Sequence, residues 1–434
     1  MVRFIHTADW QIGMRAYRVA QAAEAVREAR LEAARQLVEV ARQRAVDFIL
    51  VAGDIFEDNL VDKSLAHRVA QILEGASPIG VYVLPGNHDP LTADSIYNSP
   101  AFTSFCPPNV HILRERQPVS VGQALLLPSP VRAKRSFQDP MAEWKKEIEA
   151  VRWAKGTSLA GGADGGSGPA AAGAGAGAGA VLIGVAHGSL AIEGKYSPDD
   201  HPIALDTASA LGLDYLALGH WHSFLVYGDR TVYPGTLEPG SFEEAGQGDE
   251  ASGGAGQGAG GAVLVTIAGP GSHPQIERLP LSVLRWVTLD WDVQDSHGQA
   301  SAPVQDPVVA FKQRLAEYLE SLPEPRRTLV QVRLRGFLAA GDLGALEDLE
   351  AWAKERVLYF ELDRSGLEAK PTGLALDELT RDNPLLAGVL EDLQRAWDRD
   401  VGFSGAGDRL GVFKPEDRVE ALRWLKQLAG GGSS

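Results

Sequence analysis

Five apolar runs in this chain end in side chains that can hold a metal ion. They are "FIHTADWQ", "ILVAGD", "VYVLPGNHD", "LIGVAHG" and "YLALGHWH". Their polar ends supply Asp9, Gln11, Asp54, Asn87, His88, Asp89, His187, His220 and His222. Carboxylate, amide and imidazole together suit a first-row divalent pair, and Mn²⁺ is favoured where oxygen is plentiful. Zinc held by thiolate is excluded, because the one cysteine, Cys106, lies in none of these stretches. In layered α/β proteins ligands bind beyond the carboxyl ends of strands, so five such ends can converge on one crest.

The elements that must position these residues alternate. "VRFI" leads into Asp9, and Arg18 to Arg44 reads as a long helix of good helix formers. "DFILVAGD" is a buried type of strand. Asp62 to Gly75 reads as a second helix, capped by Asp62 and closed by Gly75. The strand of "IGVYVLPGNHD" follows. This alternation argues for an α/β layered fold. Ala160 to Ala180 and Gly246 to Gly261 are low-complexity stretches of small residues, expected to be surface inserts within one domain. After about Leu281 the texture changes to strand–helix–strand–helix–strand, a small α+β unit. From Leu374 helix signals dominate, at Asn383 to Arg399 and Pro415 to Leu428. The expected domains are therefore 1–282, 283–372 and a helical segment at 373–434. The apolar stripes of that last segment either pack on their own domain or dock a partner.

Composition sets the outer bounds. The chain has 434 residues, 44% hydrophobic and 23% charged, which is an ordinary globular mixture. No apolar run approaches the roughly 20 residues of a membrane span. Met1 to Asp9 does not read as a secretory signal. A single cysteine excludes an internal disulfide, so a cytoplasmic location is expected. The formal net charge of −16 argues against a broad basic face for nucleic acid, since phosphate contacts need Lys and Arg. It does not exclude a nuclease, because metal ions or a local patch can neutralise the field.

The ordered motifs Asp-x-Gln, Gly-Asp, Gly-Asn-His-Asp, His-Gly and Gly-His-x-His resemble the calcineurin-like metallophosphoesterase superfamily over about the first 280 residues. The resemblance implies a four-layer β-sandwich flanked by helices, followed here by the α+β cap and the C-terminal helices. It also implies roles. Asp9 would bind a first metal and Asp54 would bridge the pair. Asn87, His187 and His220 would hold the second metal, and His222 would return to the first. His88 would meet the scissile phosphate without binding metal, and Asp89 would orient His88. Two metals roughly 3.5–4 Å apart can clamp the attacking and leaving oxygens of an in-line displacement. An imidazole can protonate the leaving alkoxide or stabilise phosphorane charge.

Gln11 departs from the family, where most relatives have His at this position. Three readings stand. The amide oxygen coordinates the first metal, water takes the position, or the site is degraded.

Among metallophosphoesterases, the start "RFIHTADWQIG" and the segment "VYPGTLEPGSFEE" are similar to the SbcD and YhaO type of DNA repair exonuclease. That branch implies a DNA substrate, exonuclease action with endonuclease action left open, and an SbcC-like coiled-coil ATPase docked on the C-terminal helices. It also implies a homodimer, for which the helices Arg18 to Arg44 and Asp62 to Gly75 are candidates. Two other readings are a stand-alone phosphodiesterase or phosphatase on small substrates, and a DNA-end-binding subunit without catalysis. Outside the motifs, His6 reads as a buried, hydrogen-bonded core histidine. Trp10 and Trp221 either pack behind the metals or stack on a base. Arg132, Lys134 and Arg135 form a small basic cluster, either solvated or in contact with phosphate.

Overall fold

The computed structural model describes residues 1–148, 179–246, 258–293, 307–338 and 343–369. The core of the first two low-complexity stretches and all of 373–434 lie outside these residues. So do both helices expected after Leu374. The chain divides into two compact units at Trp286/Val287.

The first unit is built on two six-stranded sheets. One contains β1 (Val2–Thr7), β2 (Phe48–Ala52), β3 (Gly80–Leu84) and β4 (Val110–Ile112). The other contains β5 (Val119–Val121), β6 (Ala124–Ser129), β7 (Val181–His187), β8 (Tyr215–Gly219), β9 (Leu225–Tyr227) and β10 (Thr231–Tyr233). The first sheet is completed by β11 (Gly261–Ile267) and β12 (Gln275–Pro280), giving the order β12-β11-β1-β2-β3-β4. The second runs β5-β6-β7-β8-β10-β9. Strands β1, β2 and β3 are parallel neighbours, and so are β6, β7 and β8.

Side-chain alternation builds the layers. On β2, Phe48, Leu50 and Ala52 face a core shared with Val181, Ile183, Val185, Tyr215 and Ala217 of the second sheet. Ile49 and Val51 face the other way, onto helices α1 (Ala23–Gln43) and α2 (Lys63–Glu74), with Leu31, Leu37, Ala66 and Val69. On β8, Leu216 and Leu218 pack outward on Met141, Trp144 and Leu211. Both sheets are thus covered on both faces, and this explains why their strands read as continuous apolar runs rather than alternating ones. The order helix–sheet–sheet–helix is the expected α/β sandwich.

Helix α2 starts as its sequence suggests, with the Leu65 amide donating to the Asp62 side chain at 3.0 Å. The long first helix differs from expectation. Tyr17–Ala22 is a 3₁₀ stretch broken at Val19, and the α-helix begins only at Ala23. The Ala22 cap has no side-chain oxygen to satisfy the first amides, so helix formers alone do not fix the start.

The second unit has a three-stranded sheet in the order β13 (Arg285–Asp292), β14 (Thr328–Leu338), β15 (Tyr359–Ala369). The helices Pro307–Glu320 and Leu343–Lys354 close a separate core around Leu315, Val330, Val332 and Phe360. Strands β14 and β15 are parallel, and the helix Leu343–Lys354 forms the connection between them.

Candidate metal centre

The parallel strands deliver their polar ends to one place. Asp9 lies two residues past β1, Asp54 two past β2 and Asn87 three past β3. His187 ends β7, and His220 directly follows β8. Ligand-type atoms of Asp9, Asp54 and His187 all lie within 4.8 Å of one another, and all three residues are buried. Where these strand ends meet, Asp9, Gln11, Asp54 and His220 have positive φ, a conformation that residues other than glycine rarely adopt. Such backbone persists only where its surroundings over-determine it, and it concentrates at functional sites.

Two groups of donors emerge. In the first, Asn87 Oδ1 is 2.8 Å from His187 Nε2 and 2.9 Å from His220 Nδ1, while Asp54 Oδ2 is 3.2 Å from His187 Nε2. In the second, the Gln11 amide end is 2.9 Å from His222 Nε2. Asp9 sits beside both, and both of its oxygens accept the His220 amide at 3.0 Å.

The outer ring nitrogens decide what the inner ones present. His187 Nδ1 donates to the Ala52 carbonyl at 2.8 Å. A neutral imidazole has one N–H and one lone pair. In the neutral ring, the form that can bind a cation, the Nε2 lone pair of His187 therefore faces the oxygens of Asn87 and Asp54. Acceptors turned on one another at hydrogen-bond distance need a proton or a cation between them. This donor set fits divalent metal ions, with Asp54, Asn87, His187 and His220 on one side and Asp9, Gln11 and His222 on the other.

The protein's own groups pull the two carboxylates apart. Burial alone would raise Asp54, but the charge and hydrogen bond of His187 outweigh it and hold Asp54 below the usual carboxylate range. For Asp9 burial wins over the charges of His187 and His222, and its pKa is raised. His187 is raised to about 9; burial opposes this, and the Asp54 carboxylate overcomes it.

His88 stands apart from both donor groups. Its amide donates to Asp54 Oδ1 at 2.9 Å, and its Nδ1 donates to the Glu57 carbonyl at 2.9 Å. That leaves Nε2 as the nitrogen free to meet a substrate. The orienting role expected of Asp89 is corrected here. Asp89 is fully buried and accepts from the amides of Phe56 and Gly86 and from the Tyr97 hydroxyl, at 3.1, 2.8 and 2.6 Å. It forms no hydrogen bond with the His88 ring and instead braces the Gly-Asn-His-Asp loop. Burial and then the nearby Asp54 charge push Asp89 up to about 6.

Other residues fall on the framework side. His6 is buried, with Nδ1 2.9 Å from the Tyr215 hydroxyl. Trp10 is buried and donates to Thr7 Oγ1. Trp221 stacks on Tyr233 with ring centroids 4.8 Å apart and donates to Ser189 Oγ. Arg132 pairs with Glu115 and Arg135 with Asp199. Several contributors carry no signal in the sequence. The Thr236 hydroxyl donates to the Asp9 carbonyl at 2.6 Å, and the buried Arg30 donates to the Trp10 carbonyl and to Thr236 Oγ1. Thr236 lies inside the "VYPGTLEPGSFEE" segment, so that segment ends up clamped against the loop carrying Asp9 and Gln11.

A family model, calcineurin-like phosphoesterase, matches residues 2–224, just over half of the chain. The chain belongs to the calcineurin-like phosphoesterase family. The matched region ends two residues beyond His222, so it contains every one of the nine site residues. The chain is also similar to the metallophosphoesterase YhaO of Bacillus subtilis (strain 168), 25% identical over 259 residues. That match covers 56% of this chain and 55% of the relative, so the chain spans about half the length of the curated relative it matches. Phosphoester hydrolysis with divalent metal is the chemistry of that family, and the buried Asp9, Asp54 and His187 are donors of the type such a site uses. Among the described residues, no helix is long and apolar enough to cross a membrane.

Proposed function

We propose that this chain is a metal-dependent DNA nuclease that cleaves phosphodiester bonds with two divalent ions, Mn²⁺ for preference. The observation that carries the hydrolytic part is the double donor group with His88 beside it. Asp9, Gln11, Asp54 and His222 would hold the first ion. Asp54, Asn87, His187 and His220 would hold the second. The flip of one amide would turn Gln11 Oε1 toward the position its nitrogen has beside His222, which makes the amide oxygen available as a ligand there. Bound metals supply a Lewis acid for the phosphate and a nucleophile at neutral pH. His88, fixed through Nδ1, would use Nε2 to hold a phosphate oxygen and, when protonated, to give its proton to the leaving oxygen.

The nuclease part rests on the opening "RFIHTADWQIG" and on the segment clamped under Asp9 through Thr236. DNA repair and recombination, an SbcC-like ATPase docked on residues 373–434, dimerisation through α1 and α2 and a cytoplasmic location belong to the same proposal. The −16 formal charge favours a second reading, a phosphodiesterase or phosphatase acting on small substrates.

The deciding assay adds Mn²⁺ and end-labelled linear duplex DNA to the protein, with a small aryl phosphodiester in parallel and His88→Ala as control. DNA cleavage that vanishes in the variant supports the nuclease. Turnover of the diester with intact DNA, in the presence of the ATPase as well as in its absence, selects the small-substrate reading.

A further inference from the structure

The two histidines of the Gly-His-x-His motif are held in opposite ways. His220 turns Nδ1 toward Asn87, and its Nε2 donates to Asp200 Oδ2 at 2.7 Å. His222 turns Nε2 toward Gln11, and its Nδ1 donates to Glu244 Oε1 at 3.1 Å. Each carboxylate is itself anchored. Asp200 Oδ2 also accepts from Ser189 Oγ at 2.8 Å, and Ser189 receives the Trp221 indole N–H. Glu244 Oε2 accepts the Gly240 amide at 2.7 Å. Glu244 is three-quarters buried and Asp200 two-thirds.

We propose that Asp200 and Glu244 are positioning residues, each fixing the tautomer and ring angle of one metal-binding histidine, and that each serves a different metal. This rests on the two-metal reading above. The physical reason is the single N–H of a neutral imidazole. A carboxylate on the outer nitrogen takes that N–H, so the lone pair must face inward. The same partner makes the ring a stronger base and a better ligand. A solvated surface ion pair would not need both rings to be reversed relative to one another. Here the reversal is what lets two histidines with a single residue between them point inward through different nitrogens.

The two carboxylates do not do equal work. The second metal would have His187 as well as His220, and His187 is already fixed by the Ala52 carbonyl. The first would have a single imidazole, because Gln11 stands where relatives have His. His222 must then supply all the nitrogen donation to that metal, and Glu244 is the group that makes it available. Loss of Glu244 therefore costs the first metal more than loss of Asp200 costs the second.

The test is a calorimetric Mn²⁺ titration of the chelator-stripped full-length chain, its Asp200→Asn and Glu244→Gln variants and the double variant. Melting of the stripped proteins is followed alongside. Wild type is expected to show two binding events. Each single variant weakens one event and spares the other, by about 10–100-fold, with Glu244→Gln the larger effect. Asp200→Ala and Glu244→Ala follow the same order and exceed their amide counterparts. Melting of the stripped amide variants stays near wild type, which a merely structural role would not predict. Wild-type affinity at both sites in the variants overturns the proposal, whatever happens to their melting. Loss of the same event in both single variants overturns the assignment to separate metals. A wild-type chain that binds no Mn²⁺ removes the two-metal reading itself, and the inference with it.

Discussion

Single side chains in this molecule are set by what their second polar atom touches. His88 shows it most simply. Its Nδ1 is committed to the Glu57 carbonyl, and only its backbone amide, which an alanine keeps, bonds to Asp54, so substitution of the side chain should spare the metals. His88→Ala is expected to bind Mn²⁺ as wild type does and to lose about 10²–10⁴-fold in turnover. Single-turnover assays on any cleaved phosphodiester check this, and normal cleavage would remove His88 from the chemistry. His6 shows the same logic in the core. Burial lowers its pKa from 6.5 to about 3, so the folded chain keeps it neutral. The unfolded chain takes up the proton below about 6.5. A depressed folded pKa means that this stability is complete above the unfolded pKa and is lost as pH falls toward the folded one. In the metal-stripped protein, His6→Gln should flatten the acid limb, with wild type losing up to about 2 kcal/mol more than the variant between roughly pH 6.5 and pH 5. Urea unfolding of both proteins across that range gives the answer. Parallel limbs would mean that His6 is not held neutral.

At the scale of elements, the site depends on how closely strand ends can approach. Gly53 has φ +99°, and a Cβ placed there would meet His187 Nδ1 at 2.1 Å. Gly53→Ala should therefore lose metal binding and at least about 2 kcal/mol of stability, since strained backbone alone costs about 1–3 kcal/mol. Gly122 is the control. It has φ +56° with nothing within 4 Å of an added Cβ, so Gly122→Ala should cost only the backbone strain of about 1–2 kcal/mol and leave metal binding intact. Equal effects of the two substitutions, in urea unfolding and Mn²⁺ titration, would show that the contact with His187 is unimportant. This scale also explains what was legible in the sequence. The candidate donors could be read because each stands at the end of an apolar strand or within a few residues of it. Asp200, Glu244, Glu57, Arg30 and Thr236 could not be, because none stands at the end of an apolar strand and no spacing ties it to the site; Arg30, for one, reaches in from the middle of helix α1. Asp89 misled for a related reason. It neighbours His88 in sequence, but its side chain turns back into the loop to meet Gly86 and Tyr97. The break at Val19 was equally hidden, inside a stretch of good helix formers that tertiary packing overrides.

At the scale of the molecule, two separate cores imply two responses to metal. The core of the second unit, around Leu315, Val330 and Phe360, contains none of the site residues. The site residues all belong to the first unit, before Trp286. Two truncation and ligand experiments exploit this. Deleting the chain from Leu374 onward should leave hydrolysis of a small phosphodiester unchanged and abolish co-purification with a coiled-coil ATPase; retained co-purification would place the docking surface elsewhere. Metal removal tests the division itself. A ligand that binds only the folded state adds about 2.7 kcal/mol when it is present at 100 times its Kd. Saturating Mn²⁺ should therefore raise the melting of the first unit and leave that of the second where it is. Differential scanning calorimetry with Mn²⁺ and with chelator should show two transitions, of which only one moves. The transition that moves should lose its shift in Gly53→Ala, because that substitution removes the site without touching the second core. A single transition shifting as a whole would mean that the two units unfold cooperatively, and that metal bound at Asp9 and Asp54 stabilises the entire chain.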